Sequence, residues 1–209
     1  CIVSYHLAGM DWFDAVCHGY STMGLGGFST HDASFGHFNS PAIEMVCIIF
    51  MLIAGMNFGT LFLAVRKRSL TPYLQDPEAG WFLSICLLSV LIIAIYIWKD
   101  GAYAEMETAL RYAAFNVISI ATTTGYASVD YATWPIFAPL WMLFLCSFVT
   151  SAGSTGGGIK MMRMLILAQQ ASREPLDAQE LANSTRIDTQ EASGMDQVIE
   201  QIRQRLPGL

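Results

Sequence analysis

Hydrophobic residues are concentrated in three long windows that are separated by short polar stretches. The window at 41–65 carries one charged residue, Glu44, and the windows at 81–98 and 134–159 carry none. A helix needs about 20 apolar residues to cross the hydrocarbon core of a bilayer, so each window is long enough to span. Core helices of a soluble protein are the alternative, but three such windows would leave little polar surface. The pattern therefore predicts an all-α integral membrane protein.

Two shorter stretches, at 11–20 and 104–121, have apolar residues at helical spacing but are too short to cross a bilayer. A loop rich in Gly, Ser and Thr follows each of them, which is typical of a half-helix that enters the membrane and returns. Basic residues at 66–68 end the first long segment, and Lys160 and Arg163 follow the last. Because basic residues favour the cytoplasmic side, both ends are predicted to lie there.

The sequence also contains an internal repeat, since a shift of 98 positions aligns two units without a gap. The aligned pairs run from the half-helix to the far end of the next long segment: Ala15 with Ala113, Ser21 with Ser119, Gly27 with Gly125, Phe28 with Tyr126, Pro41 with Pro139, and Gly55 with Gly153. Repeats of this length that contain membrane segments are typical of transporters built from equivalent units. Each unit reads span, half-helix, Gly-rich loop, span.

The predicted organisation has a first unit at 1–68, which lacks most of its opening span, and a second unit at 79–170 that opens with a span at 79–98. The last long segment is interrupted by the Gly-rich stretch 150–158. A polar tail at 172–209 is predicted to be a soluble or disordered appendage. Much of the acidity behind the net charge of -6 lies in this tail. The charge therefore says little about partners, and nothing indicates nucleic-acid binding.

The first long window is predicted to be one continuous helix that begins at Pro41, where the missing N–H costs nothing. Asn57 lies inside it and is predicted to hydrogen-bond a neighbouring helix rather than an ion. The four histidines match no standard zinc ligand set and are predicted to be hydrogen-bonding or pH-sensing surface residues. The five cysteines show no paired spacing, so neither a disulfide nor a zinc site is predicted.

The two repeated loops offer main-chain oxygens to a small cation. Irregular backbone at membrane depth is tolerated where it lines a cavity or is buried in protein, and the C-terminal end of a half-helix favours a cation. Eight carbonyls could replace the water around a dehydrated ion, namely those of Leu25, Gly26, Gly27, Phe28, Thr123, Thr124, Gly125 and Tyr126. The hydroxyls of 122–124 are further candidate ligands. A simple Gly/Thr turn is the alternative for one loop, but two loops in register favour the ion site.

The stretch 153–160, Gly-Ser-Thr-Gly-Gly-Gly-Ile-Lys, superficially resembles a phosphate-binding loop. That motif needs Gly and Lys side by side, followed by Ser or Thr, whereas here Ile159 intervenes and Met161 follows. Membrane helix, and not a strand, flanks the stretch. A flexible break that closes a pore explains it better than a nucleotide site does, and no enzyme activity is predicted.

These motifs resemble the TrkH/KtrB superfamily of potassium uptake proteins, whose single chain has four span–pore-helix–span repeats around a central pore. Gly-Gly-Phe-Ser-Thr at 26–30, with His-Asp at 31–32, is similar to the selectivity filter of the second repeat, and Thr-Thr-Thr-Gly-Tyr at 122–126 to that of the third. Residues 151–160 resemble the intramembrane loop that interrupts the last helix of the third repeat. The similarity covers 1–170 and is more specific for the Trk branch.

The resemblance implies a potassium-channel-like pore with re-entrant filter loops. Potassium ions would bind at Gly26, Gly27, Thr124 and Gly125, with Gly27 and Gly125 as the filter glycines. The stretch 150–158 would gate the pore. The gate residues implied in this way are Gly153, Gly156, Gly157, Gly158 and Lys160.

The resemblance also implies a biological setting. The chain would be a multi-pass protein of the bacterial inner (cytoplasmic) membrane that takes up potassium, down its electrochemical gradient or by symport. Potassium would be its ligand, with no organic cofactor. Its partners would be the lipid bilayer, a TrkA-type cytoplasmic regulatory subunit that carries NAD or ATP, and a second copy in a full-length homodimer.

The sequence departs from the family pattern in two respects, because two of the four repeats are represented and the tail after 172 does not resemble the family. One such chain alone cannot enclose a pore. The alternative function is therefore a truncated, non-conducting membrane fragment that acts as an interaction partner for full-length subunits.

Overall fold

The computed structural model describes residues 1–69, 71–164, 166–167 and 169–170. Within these ranges the chain forms α-helices and short 3-10 turns and contains no β-strand. One compact unit comprises Cys1–Met164. The polar tail predicted at 172–209 lies outside the described residues.

The helices are named here in chain order. They are α1 (Ile2–Leu7), α2 (Trp12–Met23), α3 (Pro41–Gly55), α4 (Phe58–Lys67), α5 (Thr71–Gln75), α6 (Pro77–Lys99), α7 (Met106–Ala121) and α8 (Phe137–Cys146). Short 3-10 turns lie at Ser34–His37 and Tyr131–Thr133. The two predicted half-helices correspond to α2 and α7, and the span predicted at 79–98 corresponds to α6.

The ends of α2 and α6 follow from local capping chemistry. The side chain of Asp11 accepts a hydrogen bond from the backbone N–H of Asp14 and so caps α2. Asp76 caps α6 in the same way, and Pro77 occupies the first helical position, where its missing N–H costs nothing. At its far end α6 stops before Gly101, which has a left-handed φ of 84°.

The prediction of one continuous helix over 41–65 is wrong. The window forms α3 and α4, which meet at an angle of 103° across a short break. Met56 is extended there, and the side chain of Asn57 accepts a hydrogen bond from the N–H of Gly59. Asn57 therefore caps the start of α4, and its side chain makes no hydrogen bond to a neighbouring helix among the described residues. Hydropathy alone misses such a break, because apolar side chains continue through it.

The described residues contain one helix that is long and apolar enough to cross a membrane, α6. The bent pair α3 and α4 counts as a second span if it is taken as one element. The last apolar window contributes only the shorter helix α8, because the helix ends at Cys146, before the break predicted at 150–158. The number of straight spans is thus lower than the three apolar windows suggest.

The core lies where α6 and α7 pack along each other and α3 crosses α7. Ala109 and Ala113 of α7 are fully buried, and such small side chains let helix backbones approach closely in a membrane bundle. Gly55 at the end of α3 also allows a close approach, because a Cβ there would lie 2.8 Å from the Phe82 ring. α6 also exposes a row of leucines, which suits contact with lipid: Leu87, Leu88 and Leu91.

An ion pair joins the two repeated units. Arg111 of α7 donates from Nε and Nη2 to the two carboxylate oxygens of Glu44 in α3, each at 2.7 Å. Arg111 Nη2 also lies 3.2 Å from Asn39 Oδ1. Glu44 is buried, so its charge depends on this two-point contact for the solvation it has lost.

Replacing Arg111 with methionine should destabilise the protein by about 3 kcal/mol, because Glu44 would remain buried without its partner. Thermal unfolding of the purified protein in detergent measures this loss. The double variant with Glu44→Gln should recover part of it, since no buried charge is then left unpaired. Lys99→Met, which removes an exposed cation at the end of α6, is the control. Equal unfolding temperatures for Arg111→Met and Lys99→Met would contradict the structural role of the pair.

Candidate cation-binding site

Three irregular segments contact one another within the unit. We name them loop A (residues 24–30), which follows α2, loop B (residues 122–128), which follows α7, and loop C (residues 147–160), which follows α8. Loops A and B are the repeated Gly-rich segments of the sequence. Loop C contains the predicted gate.

Loops A and B leave their helices through the same hydrogen-bonded turn. The N–H of Gly26 donates to the carbonyl of Ser21, and the N–H of Thr124 donates to the carbonyl of Ser119, both over 2.8 Å. These two bonds are related by the 98-residue shift of the sequence alignment. The backbone therefore has the same local geometry at equivalent positions of the two units.

The same shift relates the strained positions of the two loops. Leu25 and Gly27 in loop A have φ values of 49° and 69°, and Thr123 and Gly125 in loop B have values of 63° and 87°. Glycine adopts this left-handed region readily, whereas a leucine or a β-branched threonine is strained there. Strained backbone of this kind is concentrated at functional sites.

Loops A and B contact each other directly. A Cβ built on Gly27 would lie only 2.0 Å from the carbonyl oxygen of Thr124, so this approach requires glycine. The hydroxyl of Tyr126 lies 3.4 Å from the carbonyl oxygen of Phe28, its repeat equivalent. The Tyr126 ring is fully buried and the Phe28 ring is exposed, so the equivalence of the loops is one of backbone and not of side chains.

Most of the carbonyls that the sequence analysis selects as cation ligands are not used for hydrogen bonds. Within the part of the chain that the structure describes, no hydrogen bond reaches the carbonyls of Leu25, Gly26, Gly27, Thr123, Thr124 and Gly125. The carbonyls of Phe28 and Tyr126 accept from the Tyr126 and Ser119 hydroxyls. A carbonyl oxygen that accepts no hydrogen bond from the protein is available to water or to a bare cation.

The threonine hydroxyls of loop B are already engaged. Thr122 Oγ1 donates to the carbonyl of Ile118 over 2.8 Å and also lies 2.8 Å from Thr124 Oγ1. Thr123 Oγ1 accepts from the N–H of Gly157 in loop C. The geometry therefore favours main-chain carbonyls over these hydroxyls as cation ligands.

Two side chains that the sequence analysis did not select hold the C-terminal ends of loops A and B by hydrogen bonds. Buried His18 donates from Nδ1 to the carbonyl of Asp14, and its Nε2 lies 3.0 Å from Ser29 Oγ. Asn116 donates to the carbonyl four residues earlier and to Ser128 Oγ, at 2.8 and 2.9 Å. The two positions are related by the 98-residue shift, which was the available signal. The prediction of a surface role for His18 is wrong.

A carboxylate also holds loop A by hydrogen bonds. Asp14 in the first turn of α2 accepts from Thr30 Oγ1 over 2.6 Å, and its other oxygen lies 3.0 Å from His31 Nε2. The His31 ring stacks on His37, with ring centroids 3.7 Å apart. Loop A is therefore held at its outer end by side-chain hydrogen bonds from α2.

Loop C lies against the starts of both other loops. The N–H of Gly157 donates to Thr123 Oγ1 over 2.7 Å, and Thr155 Oγ1 donates to the carbonyl of Met23, at the end of α2, over 3.1 Å. A Cβ on Gly156 would lie 3.1 Å from the carbonyl oxygen of Thr122. Loop C thus touches equivalent ends of the two half-helices.

The other predicted gate residues shape loop C itself. Gly153 and Gly158 have φ values of 76° and 79°, and a Cβ on Gly158 would come within 2.8 Å of two backbone carbonyl oxygens. Lys160 donates from Nζ to the carbonyl oxygen of Gly156 and lies 3.4 Å from that of Ser154. The ammonium group of Lys160 therefore binds two carbonyl oxygens of loop C that do not belong to the C-terminal turn of a helix.

The arrangement defines a class of protein: a helical protein with an apolar helix long enough to span a membrane and two equivalent Gly-rich loops in contact. A family model described as "TrkH: Cation transport protein" matches residues 2–202. The prediction that the sequence after 172 does not resemble the family is therefore wrong. The chain therefore belongs to the TrkH family of cation transport proteins.

Several Trk system potassium uptake proteins are similar to the chain. It is 45% identical over 175 residues to the Trk system potassium uptake protein TrkH of Halomonas elongata, and 43% identical over 176 residues to that of Escherichia coli K12. Both alignments cover 83% of this chain and 36% of the relative, so the chain spans about a third of their length. The crystal structure of the potassium transporter TrkH from Vibrio parahaemolyticus matches with a TM-score of 0.80 and 41% identity, over 83% of this chain and 38% of that one.

The two loop glycines should differ in their tolerance of alanine. At Gly125 a Cβ meets nothing within 4 Å, so only the left-handed φ costs, about 1–2 kcal/mol. At Gly27 the same strain is joined by a collision with the Thr124 carbonyl, and the loss should be clearly larger. Thermal unfolding of the two purified variants tests the difference. Gly125→Ala is the matched control, and equal losses would show that loops A and B are not in contact.

Proposed function

We propose that this chain forms part of a potassium uptake pathway across the bacterial inner membrane. The observation that carries the proposal is the set of six main-chain carbonyls in loops A and B that accept no hydrogen bond from the residues the structure describes. The names of the relatives support potassium as the ion, because they are Trk system potassium uptake proteins.

The proposed mechanism is replacement of hydration water by main-chain oxygens. Carbonyls of Gly26, Gly27, Thr124 and Gly125 take the place of water molecules around a dehydrated potassium ion. The C-terminal ends of α2 and α7 add the partial negative charge of their helix dipoles. The strained backbone, together with the side-chain hydrogen bonds at the C-terminal ends of the loops, keeps loops A and B rigid.

The proposed gate is loop C. It lies against the carbonyl of Met23 and the hydroxyl of Thr123, at the start of each ion-binding loop. An ion that leaves loops A and B on this side has to pass it, so conduction requires loop C to move. Its glycines at 153, 156, 157 and 158 make such a movement sterically possible.

We extend the proposal to the whole transporter. Residues 1–68 and 79–170 are then the second and third of four span–pore-helix–span repeats, and the other two repeats supply the remaining filter carbonyls. The transporter works as a homodimer, and a TrkA-type cytoplasmic subunit that binds NAD or ATP acts on loop C. Uptake is driven by the electrochemical gradient, directly or by symport.

Uptake of rubidium, a potassium substitute, tests the proposal in potassium-starved cells that lack other uptake systems. Gly125→Asp should abolish uptake, because a carboxylate beside the carbonyls changes both the space and the charge of the site. Gly101→Asp is a matched control, because both glycines have a left-handed φ and a Cβ added to either of them would meet no atom within 4 Å. Equal uptake by the two variants would contradict a filter role for loop B.

Binding can be tested without transport. Potassium should raise the unfolding temperature of the purified protein in detergent, because a ligand that binds only the folded state stabilises it by mass action. Sodium or choline at the same ionic strength should raise it less. A stabilisation that is identical for all three cations would reject a selective potassium site.

The second candidate function is that of a non-conducting interaction partner. In this case the chain conducts nothing and binds full-length subunits in the membrane. Co-expression with a full-length relative separates the two functions. A change in the relative's rubidium uptake, with none by the chain alone, supports the interaction partner.

A further inference from the structure

Glu78 is a buried carboxylate that hydrogen-bonds the backbone of loop C and of the helical turn after it. It lies in the first turn of α6 and is 3% exposed. Its Oε1 accepts from the N–H of Ala152 over 2.7 Å and from the N–H of Met162 over 3.2 Å. One carboxylate oxygen thus bridges Ala152 inside loop C and Met162 just beyond its C-terminal end.

The position of Glu78 is fixed by its neighbour Asp76. Asp76 Oδ1 accepts from the N–H of Glu78 over 3.0 Å and caps α6. Asp76 Oδ2 accepts from Thr60 Oγ1 of α4 over 2.8 Å. The carboxylate of Glu78 therefore contacts loop C close to the point where a hydrogen bond joins α4 to the start of α6.

The energetics of this contact depend on the position of loop C. A buried carboxylate is costly unless its hydrogen bonds are made, and bonds to a charged acceptor are stronger than neutral ones. Among the described residues, the hydrogen bonds of the Glu78 side chain go only to Ala152 and Met162. If loop C moves away from α6, the N–H of Ala152 and the buried carboxylate lose their contact with each other. The contact therefore favours the docked position of the loop.

We infer that Glu78 is a positioning residue that latches loop C in its docked position against loops A and B, and that its hydrogen bond to Ala152 breaks before the loop can move. The functional meaning of this latch rests on the proposed function, in which loop C is the gate. The latch itself is a property of loop position and can be measured without any transport.

A disulfide between loops B and C reports whether loop C is docked. A Cβ on Gly157 would lie 3.8 Å from the Cβ of Thr123, which is the usual separation in disulfides. Thr123→Cys with Gly157→Cys should therefore crosslink under mild oxidant while the loop is docked. Mass spectrometry of protease digests identifies this disulfide against the native cysteines, and its rate of formation measures the docked fraction.

Adding Glu78→Ala to this pair should slow crosslinking roughly tenfold, because two hydrogen bonds to a charged acceptor are lost. Glu78→Gln keeps an acceptor oxygen without the charge and should give an intermediate rate. Glu107→Ala, which removes an exposed acid from the first turn of α7, is the control and should leave the rate unchanged. The unfolding temperature and elution volume of each variant show that it is folded.

A crosslinking rate in folded Glu78→Ala equal to that of the control overturns the latch. If Glu78→Ala does not fold, Glu78→Gln decides: an intermediate rate supports the latch and an unchanged rate overturns it. Rubidium uptake by Glu78→Ala without the cysteines then tests the gate separately. Slower crosslinking with faster uptake supports both ideas, whereas slower crosslinking with unchanged uptake supports the latch and rejects loop C as the gate.

Discussion

The structure depends on one constraint, the need of every main-chain polar group that is removed from water for a hydrogen-bond partner. Helices meet this need by themselves, but loops A, B and C cannot. They meet it through one another and through a few side chains: Thr123 serves loop C, Tyr126 serves loop A, and Glu78 serves Ala152 of loop C. The six candidate carbonyls of loops A and B accept no hydrogen bond from the described residues, and they lie in the two loops that the repeat relates.

The same constraint explains why side chains remote from the carbonyls matter. His18 and Asn116 do not lie in loops A and B, yet each joins its own half-helix to the last part of the loop that follows it. Glu44 and Arg111 join the two units, so that loops A and B keep their relative position. Distances between main-chain oxygens in this site are therefore set by a frame of hydrogen bonds, and the glycines only make the approach possible.

Periodic features of the fold could be predicted from the sequence, and features made by distant contacts could not. Hydropathy located α6, and helical spacing located α2 and α7, because both are properties of neighbouring residues. The 98-residue shift aligned Gly27 with Gly125, because the two equivalent units have the same turns. The bend at Met56 and Asn57 was missed, since a cap interrupts a helix without changing hydropathy. Glu78 was missed as well, because its partners lie 74 and 84 positions away.

Thr123 joins two roles in one residue, since its carbonyl is a candidate ion ligand and its hydroxyl accepts the N–H of Gly157. Thermodynamic linkage makes any influence between these two events reciprocal. If docking of loop C changes the affinity of the site for an ion by some factor, then an ion in the site changes the docking equilibrium by the same factor. The permeating ion would thus act as an effector of its own exit.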